Sequence, residues 1–567
     1  MASHPAPSTE PPGAPAGAGG IPIVEQGVSS SGAAAAGPAD AGVRWLAWAT
    51  LDRVWLIAVL ALTFAAANGF PVDQTDYWWT VKLGQGLWAS GHLPSADPLA
   101  FTSTRLPYVE QQWLAQLVLA GVYQVGGLGA TLLLRAGLLV ATMALVFAAC
   151  RRAGGSAAAA ALATAIALVV ALPGAATRPQ LLAIPLFALF LLGTGEPLPR
   201  WSVAALPLAM VVWVNLHGSF PLGLVLVGMA LAGRGWMRLA ATGALRDSKA
   251  LVRGLLRDGP LRRLALLLLL CCLAALANPY GLGLVPWLAD FLILHTGGQD
   301  AAVIATEWAR TSLAERAGAY YFASLAIAVV ALVRAGPPRP ASGLRLLTFG
   351  LLALSAVRNT LWWGLVQAPA LAWALSAGPR AKEPAADRGR AVGEEPSSRS
   401  APAPGAATLN LLLIAACLGA AALSLRPLHA DLLGGEEMLA DPSQPRAAAD
   451  YLASLHRPGR LFNYLDWGGY LAYRLAPRGQ IFVDGRFGIY PATVYRDYFT
   501  ISEAEPGWEQ RLAAYGVDAL VLDRQAQRPL IRGLATSADW LPVYCDARAV
   551  VYWPAGSGAA PVACPAQ

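Results

Sequence analysis

Long apolar runs alternate with short polar breaks along most of this chain, and eleven of those runs are long enough to cross most of a bilayer. They fall at about 54–70, 130–150, 156–172, 180–194, 201–216, 220–233, 264–279, 318–334, 343–359, 361–377 and 408–425. Each predicts a transmembrane helix. The first gap, from Pro71 to the second run, is about sixty residues long and polar enough to lie outside the hydrocarbon. From about Ala447 the pattern changes to short alternating segments. Helices are predicted at 447–455 and 507–515, and strands at 460–464, 480–484, 517–522, 541–544 and 549–553. That alternation predicts a small α/β domain. The fold class is therefore a polytopic α-helical membrane protein of about eleven spans with a C-terminal extracytoplasmic α/β domain. Its parts are a tail at 1–43, a membrane domain at 44–425 with a first loop at 71–129 and a linker at 378–407, and the α/β domain at 426–567.

Composition supports the membrane reading. Of the 567 residues 56% are apolar and only 13% charged, against about 25% charged in a soluble domain. Residues 1–43 are rich in Ala, Gly, Pro and Ser and predict disorder. No basic stretch leads into a short apolar core there, so no signal peptide is expected. The linker has similar low complexity.

The net charge of +7 is explained by where the basic residues lie. With the N-terminus inside, the cytoplasmic segments hold twenty-one Lys and Arg and the opposite loops six. The bias orients the chain with the tail domain outside, which is the periplasm if the membrane is the bacterial inner membrane that the resemblance described below implies. Nucleic acid is not an expected partner. Of the six cysteines, Cys150, Cys271, Cys272 and Cys417 lie in apolar runs, and Cys545 and Cys564 lie outside. An oxidising compartment permits the last two to pair, and two free thiols are the alternative. Zinc-type spacing is absent.

Chemistry collects on one side. The first loop holds Asp73, Asp76, Asp97 and Glu110, with Tyr77, Trp78, Trp79, Trp88 and Tyr108 among them. Such aromatic density suits a membrane–water interface. On a helix Asp73 and Asp76 would share a face, where two carboxylates bind a divalent cation or act as a base. Each could equally be an N-cap for the helix beginning near Tyr77. Arg178, Asn215, His217, Glu307, Arg358 and Asn359 all fall at outer ends of spans. Taken singly they are helix stops or interfacial anchors, and together they place a polar site at the outer surface. Arg135 lies near the outer end of the second span and either snorkels to the interface or faces a phosphate. In the tail, Asp466-Trp467-Gly468-Gly469-Tyr470 and Asp484-Gly485-Arg486 read as tight turns.

These pieces together resemble the GT-C superfamily of integral-membrane glycosyltransferases. The matching segments are Asp73-Gln74-Thr75-Asp76-Tyr77-Trp78-Trp79, Gly91-His92-Leu93-Pro94 with Asp97-Pro98, and Trp113-Leu114. Asp466-Trp467-Gly468-Gly469-Tyr470 is similar to the Trp-Trp-Asp-Tyr-Gly motif of oligosaccharyltransferase catalytic subunits. The sequence departs from relatives in spacing its aspartates by two residues and in holding Gln112 and Gln116 where they often carry acids. The resemblance implies sugar transfer from a polyprenyl-phosphate donor to a cell-envelope acceptor. It implies Asp76 and Asp73 as catalytic residues and ligands of a divalent cation (Mg or Mn). It makes Arg178, His217, Arg358, Asn215, Glu307, Asp466 and Trp467 the substrate-binding set, with the tail as a roof. A non-catalytic envelope assembly protein, or a transporter or flippase, is the alternative.

Overall fold

The computed structural model describes residues 48–72, 76–103, 108–242, 258–296, 306–377, 403–425, 439, 441–455, 459–486 and 488–564. Residues 1–43, Asp73, Arg105 and nearly all of the 378–407 linker lie outside this set, as do the expectations made for them.

Every predicted span coincides with a helix. In order these are α1 (Leu51–Asn68), α3 (Trp113–Arg152), α4 (Ala157–Ala171), α5 (Pro179–Gly193), α6 (Ser202–Leu216), α7 (Pro221–Thr242), α8 (Gly259–Ala274), α10 (Arg316–Ala335), α11 (Pro340–Ser355), α12 (Thr360–Ser376) and α13 (Pro404–Leu423). Among the described residues six helical segments, in α1, α3, α4, α7, α10 and α13, are long and apolar enough to cross a membrane. Three shorter apolar helices, α5, α6 and α11, accompany them. Two further helices arise between spans: α2 (Tyr77–Ser90) in the first loop, and α9 (Leu284–Thr296) in what reads as an irregular outer loop. Helix α12 is central and almost wholly buried. Its Trp362 and Trp363 pack on Phe187 and Tyr321.

The second span begins earlier than its apolar run suggests. Helix α3 is forty residues long and bends at Gly126 and Gly127, the latter at φ +57°. That left-handed conformation is inexpensive only for glycine. The arm before the bend, Trp113 to Val125, carries α2. Contact between them is so close that a β-carbon at Gly84 would lie 2.1 Å from the Gln116 carbonyl oxygen.

Arg135 does not snorkel. It is 4% exposed, and its guanidinium donates to the carbonyls of Ala67, Phe70 and Pro71 and to Thr177 Oγ1. The carbonyls closing α1 lack intrahelical donors, and a cation is favoured at that end of the helix dipole. Arg135 thus pins the first loop where it leaves the bundle.

The tail folds as predicted at its strands. β1 (Gly459–Asn463), β2 (Gly479–Ile481), β3 (Ala519–Asp523), β4 (Trp540–Cys545) and β5 (Ala549–Pro554) form one sheet in the order β2-β1-β3-β5-β4. β1 runs parallel to β2 and β3, and β5 antiparallel to β3 and β4. Helix α14 (Arg446–Ser454) precedes β1, and α15 (Gly468–Leu475), α16 (Ala492–Ser502), α17 (Trp508–Ala514) and α18 (Arg528–Leu534) follow in the connections. Cys545 and Cys564 are disulfide-bonded, with Cα atoms 5.6 Å apart.

The first loop completes this sheet. Ala100 pairs in parallel with Ile481: Phe101 N donates to Ile481 O at 3.2 Å, and Ile481 N to Leu99 O at 3.0 Å. Thr102 Oγ1 caps Phe482 O. An open sheet edge presents unpaired amides and carbonyls, and here the loop covers it. Trp78 fills the seam behind, ringed by Tyr123, Tyr470 and Tyr473 at 4.6–5.7 Å. Of the five loop aromatics expected at a lipid interface, Tyr77, Trp78, Trp79 and Tyr108 are buried inside the protein, and Trp88 is exposed.

Candidate functional site

Asp76 occupies the N-cap position of α2, but its side chain makes no cap bond. Capping therefore does not account for it. Its Oδ1 accepts from Trp79 Nε1 at 3.2 Å, and its Oδ2 lies 3.6 Å from Arg178 Nη1. Arg178 precedes α5 in an extended conformation, with Pro179 opening the helix. The same guanidinium nitrogen donates to Glu307 Oε2 at 2.7 Å. The other Glu307 oxygen, Oε1, is 3.1 Å from Arg358 Nη1, and the Arg358 guanidinium lies over the Trp308 ring at 4.1 Å. Asp76, Arg178, Glu307 and Arg358 thus form a continuous chain of alternating charge. Its members come from the first loop, the α4–α5 turn, the segment before α10 and the α11–α12 turn.

The electrostatics follow from this order. Burial pushes the Asp76 carboxyl up to about 6, beyond what Arg178 and Trp79 recover, with Glu307 and Asp484 adding to the rise. Glu307 is half-buried, and its two guanidinium partners outweigh the loss of solvent and hold it at about 2. His217 lies within range of Arg358 and Arg178, and burial together with those cations pushes it down to about 3. It is a neutral imidazole at physiological pH. Its Nδ1 accepts from the Ser219 amide at 3.1 Å, which assigns the ring proton to Nε2. The cluster thus offers one base-strength carboxylate, two cations sharing one permanent anion, and one neutral donor.

Asn215 ties the scaffold together. Its oxygen accepts from Trp113 Nε1 and its amide donates to Val211 O and Ala277 O, tying α6 to α3 and to the end of α8. Asn359 likewise donates to Leu352 O.

Two turns of the tail differ in their surroundings. Trp467 is a core residue, 1% exposed, that donates to Ser443 O. Asp466 is exposed and accepts from Tyr464 OH. Tyr470 and Tyr473 meet the first loop at Trp78, while Arg486 meets it at Asp97 and Trp79, and its partner Asp484 adds to the field at Asp76. Arg486 makes a two-pronged pair with Asp97, at 2.7 and 3.1 Å, and its Nε donates to Asp484 at 2.8 Å. It also faces the Trp79 ring at 5.8 Å, so Trp79 is shared by this clamp and by Asp76. Tyr490 OH completes Asp484 at 2.9 Å. Asp484-Gly485-Arg486 is visible in the sequence only as a turn after a strand. Glu110 sits beneath, buried, accepting from Tyr108 OH at 2.7 Å and from Gln116 at 2.6 Å. The Gln116 that replaces an expected acid thus serves Glu110.

A divalent cation calls for several oxygen ligands. Among the described residues no group of three His, Cys, Asp or Glu side chains is set to hold one. The groups facing Asp76 are an indole N–H and a guanidinium. This donor set fits an anion rather than a cation, and Asp73, the other predicted ligand, lies outside the described residues. No step below is routed through a metal.

Fold and site together define a multi-pass helical membrane protein whose polar centre lies where bundle, first loop and tail meet. No family model matches the chain, and no curated protein matches it. Among solved structures it is similar to the oligosaccharyltransferase of Archaeoglobus fulgidus tethered with an acceptor peptide. The identity is 13% and the TM-score 0.49, over 86% of this chain and 72% of that one. It is similar to AglB of the same organism, in complex with an inhibitory peptide and a dolichol-phosphate, at 12% identity and a TM-score of 0.49 over 86% and 73%. The arabinofuranosyltransferase AftD from Mycobacteria shares 17% identity at a TM-score of 0.46, over 91% of this chain and 40% of that one. These neighbours are oligosaccharyltransferases and an arabinofuranosyltransferase.

Proposed function

We propose that the chain is a membrane glycosyltransferase that moves a sugar from a polyprenyl-phosphate donor to an acceptor hydroxyl at the outer membrane face. The carrying observation is the half-buried Asp76 carboxylate beside the Arg178 guanidinium, which shares Glu307 with Arg358. The lipid class of the donor comes from the resemblance in the sequence. In the proposed reaction Asp76 takes the acceptor proton as that oxygen bonds to the anomeric carbon. The bond from the anomeric carbon to the phosphate oxygen breaks, and its electron pair leaves with the lipid phosphate. The leaving phosphate gains one negative charge, which Arg178 and Arg358 receive in a site screened from bulk water. Neutral His217 offers an N–H donor without a proton to lose. Asp97, Asp484 and Arg486 hold the loop so that Asp76 stays in place.

The proposal places the site at the periplasmic face of a bacterial inner membrane, beneath the tail, with eleven spans and the N-terminus inside. A periplasm-active reporter fused after Gln567 should be active and one fused near Ala391 inactive. The reverse pattern overturns the topology. For the activity, purified chain in lipid nanodiscs should release polyprenyl phosphate from a polyprenyl-phosphate sugar, and Arg178→Gln should slow release by about 10²-fold or more. Equal release by both proteins removes the guanidinium chain from the mechanism.

A further inference from the structure

The opposite end of the same helices carries a second polar recess. Helix α5 starts at Arg178 and runs for fifteen residues, so its far end lies about 22 Å away. There the ends of α3, α5 and α12 and the start of α11 form an open recess. Arg152, Thr194, Glu196, Arg339, Ser342 and Arg345 contribute its polar lining.

Two buried polar atoms in this recess lack hydrogen-bond partners. Arg345 is only 8% exposed. One of its terminal nitrogens, Nη2, donates to Thr194 O and Oγ1, both at 2.9 Å, while Nε has no hydrogen-bond partner. Glu196 Oε1 is buried and likewise unpartnered, although Oε2 lies 3.6 Å from Arg339. A buried unsatisfied donor and acceptor are costly. The recess holds three arginines against one glutamate, and α11 opens on it with its positive end and no side-chain cap. That balance favours an anion. The orphaned carboxylate oxygen adds a second requirement, because it repels a bare anion and needs a donor.

We infer that this recess binds a phosphate ester that carries a hydroxyl group, the phosphate on Arg345, Arg339 and the α11 N-terminus and the hydroxyl on Glu196. Two sources have that chemistry: the glycerol-phosphate headgroup of an anionic lipid, and a soluble glycerol phosphate. The inference does not depend on the sugar-transfer reading, since the recess shares no residue with the Asp76 cluster.

The test uses the full chain in neutral detergent and measures binding by native mass spectrometry. The probes are phosphatidylglycerol, phosphatidylcholine and glycerol 3-phosphate. Phosphatidylglycerol binding well above phosphatidylcholine identifies a lipid site; glycerol 3-phosphate binding as well as the lipid identifies a soluble ligand. In either case Arg345→Gln should weaken binding by about tenfold or more, as expected for a lost hydrogen bond to a charged group. That variant alters a buried residue. Arg339→Gln combined with Arg152→Gln, both on the exposed rim, should therefore weaken binding in a protein that melts like the parent. Glu196→Gln should erode the preference for phosphatidylglycerol over phosphatidic acid, which lacks the hydroxyls. Asp76→Asn should bind as the wild type does. Failure of both phosphate probes to exceed phosphatidylcholine, or equal binding by the rim variant and the parent, overturns the inference.

Discussion

Asp76→Asn should lower sugar transfer by about 10²- to 10⁴-fold, the range for loss of a positioned general base, while leaving the fold at least as stable as the parent. The two halves of this result have one cause. Burial raises the Asp76 carboxyl from 3.8 to about 6, so the folded protein holds its proton more tightly than the unfolded chain does. Stability from this group is therefore fully present below about pH 4. It is lost as pH climbs to about 6, and the ionised carboxylate costs about 3 kcal/mol above that. Asparagine removes that cost and keeps an acceptor for Trp79 Nε1. Arg178 keeps Glu307 at 2.7 Å. The melting temperature in detergent should hold or rise at pH 7.5, and the gain should vanish near pH 4. The wild-type rate should climb about tenfold per pH unit below 6 and level off above it, since the base must be ionised. Transfer by Asp76→Asn at the parental rate, or a rate that falls as pH rises through 6, would take Asp76 out of the chemistry.

Arg486→Met should release the first loop from the tail, at a cost of about 3–5 kcal/mol. This is the range for removing one partner of a buried ion cluster. Arg486 is the only cation that the described contacts place between Asp97 and Asp484, and all three side chains are nearly inaccessible. Without it two buried carboxylates face each other. Burial already raises Asp484, and removing the guanidinium would raise it further. Limited proteolysis within residues 91–107 should accelerate in the variant, and transfer should fall with it because Trp79 and Asp76 lose their support. Arg486→Lys should recover part of the loss, since it restores charge but not the two-pronged geometry. Adding Asp97→Asn to Arg486→Met should also recover part, by removing one of the stranded charges. A loop as protease-resistant in Arg486→Met as in the parent would show that the sheet-edge pairing of Ala100 with Ile481 suffices alone.

Much of the architecture is legible along the chain because it is built from local periodicity. Each apolar run yields a helix, since only an α-helix satisfies its own backbone inside a membrane. The five tail strands fall where short apolar segments lie between turn residues. Asp76, Arg178, His217, Glu307 and Arg358 stand out as charges or imidazole at the ends of apolar runs, a costly place for such groups without partners. The order of Asp76, Arg178, Glu307 and Arg358 along one chain of ion pairs is set by tertiary structure, because the four arrive from four separate segments. The same holds for Arg135, whose position suggests snorkelling until the carbonyls ending α1 are found around it. The resemblance of Asp466-Trp467-Gly468-Gly469-Tyr470 to a catalytic motif points to one turn of the tail; packing brings that turn to the first loop through Tyr470, on Trp78, and also brings Asp484-Gly485-Arg486 there, on Asp97. Arg486 and Asp97 are 389 residues apart, and nothing local to either marks the pairing. Sequence spacing controls which side chains share a face of a helix or strand. Which faces meet depends on how bundle, loop and tail bury their surfaces together, and here that meeting surrounds Asp76.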